Sequence, residues 1–195
     1  MANSEARERV LQAAEKLFVE RGYNAVTVKD IAREVGIHHA SLYHHIPDGK
    51  AALFIEVATR NMQRHLEGIQ RAIEAADNLR GQLQGIAAWL LSQPPVDVVR
   101  FSKSDLPAIA EATNQETADR IATLMHQTTL LPMTRVLKMA QDRGEIDNAN
   151  LGNMAGALFS AIEGLHSIPD MYLDSTRQTM ANQIIDVFVR GMQVV

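Results

Sequence analysis

The sequence predicts an all-α chain of about nine helices, on three observations. Apolar residues recur at helical spacing along most of its 195 residues. No stretch between turn signals alternates apolar and polar residues as a half-buried strand does, and the helix breakers are spaced to suit helices of ordinary length. The 46% hydrophobic content is enough to build a core.

The first helix carries Val10, Ala14, Leu17 and Phe18 on one side and is expected to end at Gly22-Tyr23, where glycine can take a positive φ cheaply. Thr27-Val28-Lys29-Asp30 has the form of an N-cap with an acidic partner three residues on, so a second helix starts there with Ile31, Ala32 and Val35 inward. Gly36 stops it after a few turns. A short segment follows at once, His38-His39-Ala40-Ser41-Leu42-Tyr43, in which Ile37, Leu42 and Ile46 can face the core and His39, Ser41, Tyr43 and His44 are left outside. Two short helices joined by a tight glycine turn have the layout of a helix-turn-helix, whose second helix lies in a major groove.

Pro47 and Gly49 then open a long helix bearing Leu53, Phe54, Val57, Met62, Leu66, Ile69 and Ile73. Asp77-Asn78, Pro94-Pro95, Gly144 and Pro169 mark further breaks, and Pro132, inside a long helical pattern, is expected to kink it. Gly156, Ser160 and Gly164 form a strip of small residues on one side of a later helix. The last helix has a stripe of Met180, Ile184, Phe188 and Met192, widened by Ile185 and Val187.

Composition removes several function classes. There is no cysteine, hence no disulfide, thiolate metal site or cysteine nucleophile. Nucleophile elbows, phosphate-cradling glycine loops and zinc-protease motifs are missing as well. His38, His39, His44 and His45 cluster, but neighbouring residues on a helix point about 100° apart, and no carboxylate is placed to complete a metal site. Glu163-Gly164-Leu165-His166 has the Glu-x-x-His spacing of di-iron bundles, which need a second copy that this chain lacks. No cofactor and no enzymatic activity are expected. The N-terminal residues are polar and no apolar run approaches the roughly 20 residues of a membrane span, so a cytoplasmic protein without membrane contact is expected. Net charge is −4, yet residues 1–50 balance seven Lys and Arg against seven Asp and Glu, and the excess acid lies beyond them. A local face of donors is all that phosphate contact requires.

The run from Gly22-Tyr23 through Thr27-Val28-Lys29-Asp30-Ile31-Ala32-Arg33-Glu34-Val35-Gly36-Ile37 and Leu42-Tyr43-His44-His45-Ile46-Pro47 to Lys50-Ala51-Ala52-Leu53 resembles the DNA-binding domain of the tetracycline-repressor (TetR) family. It covers about a quarter of the chain. Three positions depart from the family's habit: His38 replaces a Ser cap, Ile46 replaces Phe, and Asp48-Gly49 lengthens the turn by one residue. The resemblance implies that Thr27, Tyr43, His44 and Lys50 touch phosphates and that His39, Ala40 and Ser41 face bases. It also implies residues 1–52 as the DNA-binding domain and residues 53–195 as an effector-binding and dimerisation domain. The expected whole is a repressor that binds a pseudo-palindromic operator in double-stranded DNA as a homodimer. A mainly apolar small molecule would release it; the alternative is a helical ligand-binding or adaptor protein that has lost operator binding. Pocket candidates, which would serve equally as core, are Trp89, Phe101, Met125, His126, Met133, Phe159, Glu163, His166 and Tyr172. Dimer-contact candidates are Gly156, Ser160, Gly164, Met180, Ile184 and Phe188.

Overall fold

A computed structural model describes residues 2–147 and 150–193. Among them the chain forms nine helices, the first broken at Gly22. These are α1 (Ala2–Ala25), α2 (Val28–Val35), α3 (His39–Leu42), α4 (Gly49–Glu74), α5 (Leu79–Ser92), α6 (residues 98–112), α7 (residues 115–142), α8 (Leu151–Gly164) and α9 (Arg177–Met192). No strand occurs among the described residues.

Two helices contain π-helical stretches, Phe101–Asp105 in α6 and His126–Leu130 in α7. Each is followed two residues later by a proline, Pro107 and Pro132. Proline has no N–H and its ring collides with the carbonyl four residues back, so the turn before it must widen. Here it widens to bonds five residues apart, Leu106 N–H to the Phe101 carbonyl and Leu131 N–H to that of His126. The disturbance expected at Pro132 is therefore absorbed in the preceding turn, and Pro107 has the same device unforeseen.

The chain divides into two compact units, residues 1–61 with 96–124 and residues 62–95 with 125–195. The first includes a stretch, 96–124, drawn from far beyond the helix-turn-helix. Its centre holds Leu17, Ile31 and Leu42, all at most 2% exposed, and an aromatic cluster in which Phe18 and Tyr23 both meet the Phe54 ring edge-on at 5.1 and 5.2 Å. Bidentate hydrogen bonds from Arg7 to Glu56 tie the outer faces of α1 and α4.

In the second unit Ile69, Leu83, Ile86, Leu90, Met133, Leu137, Leu158, Ile162 and Ile185 form one apolar cluster, with α9 packed along α5. Trp89 lies flat against Gly68, where a Cβ would collide with the indole. Within α9 the stripe read from sequence separates into two faces. Ile185 and Met192 are buried in the unit's own core, whereas Met180, Ile184 and Phe188 are half-buried and Val187 is 70% exposed. Five apolar residues among six consecutive positions, 184–189, leave periodicity unable to separate those faces.

Candidate nucleic-acid interface

The interface is built from its caps. Thr27, in extended conformation, accepts the Asp30 N–H on its hydroxyl at 3.2 Å, and its own N–H and hydroxyl donate to the Asp30 carboxylate at 3.0 and 2.6 Å. Those two donors, the hydroxyl first, hold the Asp30 carboxyl below its usual range, with Arg33 adding to the effect. At the other end Gly36 takes φ 76°, ψ 32°, so its N–H and that of Ile37 turn back onto the Arg33 and Ala32 carbonyls. The chain is thereby sent directly into α3.

His38 performs the capping for which serine is usual: its Nδ1 accepts the Ala40 N–H at 3.3 Å. That bond requires the imidazole proton to sit on Nε2. Leu42 (0% exposed) and Ile46 (4%) root the short helix in the core, and bonds from His44, His45 and Ile46 back to the Ser41 and Leu42 carbonyls extend the turn beyond it. Ala40, Ser41, Tyr43 and His44 stand exposed, as does Thr27 at the neighbouring helix start. His39 is half-buried, its ring edge-on to Tyr43 at 5.2 Å. The outward set thus offers two hydroxyls, an imidazole and a methyl along α3 and the turn that extends it, groups suited to phosphates and base edges.

Lys50 is placed differently from the other candidates. Its ammonium donates to the carbonyls of Tyr23 (2.9 Å) and Val26 (3.0 Å) and lies 4.0 Å over the Tyr23 ring. Two of its three donors are therefore used inside the protein. Burial pulls its pKa down, partly opposed by Asp105. The side chain is a clamp between the start of α4 and the α1–α2 corner, with one N–H left over.

Asp105 and Arg100 complete that corner and were not foreseen. Asp105, 4% exposed, accepts the Tyr23 N–H at 2.9 Å, and Arg100 donates to the Val19 carbonyl at 2.8 Å. Burial pushes the Asp105 carboxyl up, opposed by the Tyr23 N–H and Arg100. The available signal was a carboxylate at the i+4 position of an otherwise apolar Phe101–Asp105–Ile109 series.

The pocket candidates differ in their surroundings. Phe101 lies in the first unit and the other eight in the second. Met133 and Phe159 are core residues at 0% and 4% exposure, while His126 and Tyr172 are exposed, Tyr172 at 70% on a surface 3₁₀ turn. Met125 and Glu163 are half-buried. Trp89 and His166 are half-buried with ring nitrogens, Nε1 and Nε2, that are buried without a hydrogen-bond partner. A cleft of about 280 Å³ beside Arg80, Glu145 and Gln193 is lined by none of the nine. Among the described residues no group of three His, Asp or Glu side chains could hold a metal ion, and no helix is long and apolar enough to cross a membrane.

Residues 10–57 match the family model described as bacterial regulatory proteins, tetR family. The HTH-type transcriptional regulator LmrA of Bacillus subtilis is 33% identical over 90 residues, 46% of each chain. The chain spans less than half the length of the first curated relatives it matches. A tetR-family regulatory protein from Rhodococcus RHA1 shares the fold over 97% of this chain and 98% of its own, with a TM-score of 0.72 at 16% identity. AibR, solved with isovaleryl coenzyme A and operator DNA, does so over 93% and 97% with a TM-score of 0.69, also at 16% identity. Residues 10–57 are thus similar in sequence to the helix-turn-helix of tetR-family regulatory proteins, and the all-α fold is shared with solved structures along nearly the whole chain.

Proposed function

We propose that this protein is a ligand-responsive transcriptional repressor that binds a pseudo-palindromic operator as a homodimer. The observation that carries the proposal is the capped α3 and the turn after it, which display Ala40, Ser41, Tyr43 and His44 to solvent on a buried Leu42–Ile46 root. Thr27, Tyr43 and His44 contact phosphates, joined by the remaining N–H of Lys50, while His39, Ala40 and Ser41 face bases. None of the residues assigned to bases has a long flexible side chain, so the pose of the helix sets which base edges are reached.

Pairing of two copies rests on α8 and α9. A Cβ on Gly156 or Gly164 meets nothing within 4 Å, and Ser160 is exposed, so among the described residues the small strip is not used for packing. Beside it in the same unit Met180, Ile184, Val187 and Phe188 leave an apolar face partly open. Closing such faces against their copies is favourable, and two reading heads match the two half-sites of a palindrome.

The effector binds in the second unit, whose half-buried Trp89 and His166 carry unsatisfied ring nitrogens, Trp89 lying against the unit's apolar core. A mainly apolar molecule with an acceptor group, such as a carbonyl, meets that chemistry. To act as a switch it must favour the released form by its own differential affinity. The test is a titration of apolar, cationic and anionic compounds against protein on labelled operator, followed by anisotropy and Trp89 fluorescence. Release by apolar compounds supports the reading; release by inorganic phosphate or small phosphorylated metabolites alone refutes the effector class.

A further inference from the structure

We infer that Asp105 and Arg100 are positioning residues for DNA binding, which splice into the end of α1 and fix the corner from which the reading head departs. The inference rests on the DNA-binding function proposed above and specifies how its geometry is held.

In an unbroken α-helix the N–H of Tyr23 donates to the carbonyl of Val19, four residues back. Gly22 interrupts α1 with φ 79° and ψ 167°, a conformation essentially confined to glycine. Around this break the two groups of that bond each meet one member of an ion pair. The Asp105 carboxylate accepts the Tyr23 N–H at 2.9 Å, and the Arg100 guanidinium donates to the Val19 carbonyl at 2.8 Å. The pair is closed by Arg100 Nε at 3.7 Å from the second Asp105 oxygen, and Asn24 adds a bond to the Ser104 hydroxyl at 3.1 Å. Space is tight as well as polar: a Cβ on Gly22 would stand 2.9 Å from Arg100 Cδ and 3.0 Å from an Asp105 oxygen.

An ion pair inserted into a main-chain hydrogen bond defines two alternatives. With the pair in place the chain turns at Gly22; without it the end of α1 can straighten or fray. Everything downstream depends on that choice. The Tyr23 carbonyl holds Lys50, the Tyr23 ring packs on Phe18 and Phe54, and Thr27, four residues on, caps α2, to which α3 is joined by a tight turn. A rotation at Tyr23 therefore re-aims Ser41, Tyr43 and His44 although none of them touches Asp105. The carboxylate costs desolvation at this site, a cost that apolar side chains in place of the whole pair would not carry. What an apolar side chain does not supply is an acceptor for the Tyr23 N–H and a counter-charge that keeps Arg100 on Val19.

The test uses the full-length protein with Asp105→Ala, Arg100→Ala, the double variant and Asp105→Asn, a fragment selected from genomic DNA by the wild type, and hydrogen exchange at the Tyr23 amide. Asp105→Ala and Arg100→Ala are each expected to weaken binding about tenfold, as for loss of a buried partner, with helical content and the salt slope unchanged because no phosphate contact is lost. The double variant should be no weaker than either single one, since the pair acts as a unit. Asp105→Asn, which keeps an acceptor oxygen, should recover part of the affinity and the protection of the Tyr23 amide. Wild-type affinity in Asp105→Ala, or a loss accounted for by its unfolded fraction, overturns the inference alone. If the wild type selects no DNA, the functional reading fails and the inference with it, even where Tyr23 protection still depends on Asp105.

Discussion

Replacing Lys50 by Met keeps the aliphatic stem and removes only the ammonium, so the change isolates the clamp. Two hydrogen bonds to carbonyls are lost, at 2.9 and 3.0 Å, with the contact over the Tyr23 ring at 4.0 Å. Bonds from a charged donor contribute about 1.5–3 kcal/mol each, and the ring contact about 0.5–1 kcal/mol. Against them stands the desolvation that depresses the ammonium's pKa, together with solvent screening of a group only partly buried. The balance is a loss of about 2 kcal/mol, or a fall in melting temperature of about 4–8 °C for a chain of this size. Thermal unfolding followed by circular dichroism measures it. In binding assays the same variant should lower the slope of log affinity against log salt by about 0.9, through the one N–H left for a phosphate. A melting temperature within about 1 °C of wild type would refute the clamp.

Three further outcomes follow from other parts of the structure. Asp30 and Glu56 are held below the ordinary carboxylate range, by Thr27 and Arg7 respectively, so their stabilisation is present above that range and lost as pH falls through it. Asp105, raised by burial, favours the folded state on protonation and opposes them. In urea titrations Thr27→Val should therefore flatten the decline of stability between neutral and acidic pH, and a decline as steep as wild type's would remove the Thr27–Asp30 box from the account. Gly22→Ala should cost about 1–3 kcal/mol from backbone strain, with added collision against Arg100 and Asp105, and urea unfolding at wild-type stability would contradict the described break. Val187→Asp, at a position 70% exposed within the chain, should leave the fold intact but give monomers by sedimentation, because a charge would enter the paired face unpartnered. An undisturbed dimer would move the interface away from α9.

Much of the reading head was legible because its determinants are local. Thr27 and Asp30, Gly36, and the apolar Leu42 and Ile46 each lie within four residues of what they cap, turn or anchor. The His38 cap was harder, since imidazole seldom serves where a serine hydroxyl is usual, yet its Nδ1 reaches the same N–H. Lys50 could be placed at a helix start but not aimed, because its partners, the Tyr23 and Val26 carbonyls, are set by how two distant helix ends meet. The Asp105–Tyr23 bond joins positions 82 residues apart and has no periodic signature. Pocket candidates chosen by side-chain type alone mixed core residues such as Met133 with surface ones such as Tyr172, a difference decided entirely by packing.

The central claim is that the outward face of residues 39–44 reads DNA as one of a pair. Selection from a random DNA library, carried out in parallel with wild type and with a Tyr43→Ala, His44→Ala double variant of equal helical content, tests it most directly. Both changed side chains are exposed, so the fold is expected to survive them. The account predicts that wild type enriches an inverted repeat with half-sites about one helical turn, roughly 10–10.5 base pairs, apart or a multiple of it, and that the variant enriches little or nothing. Enrichment of the same sequence by both proteins, or of none by the wild type, would contradict it.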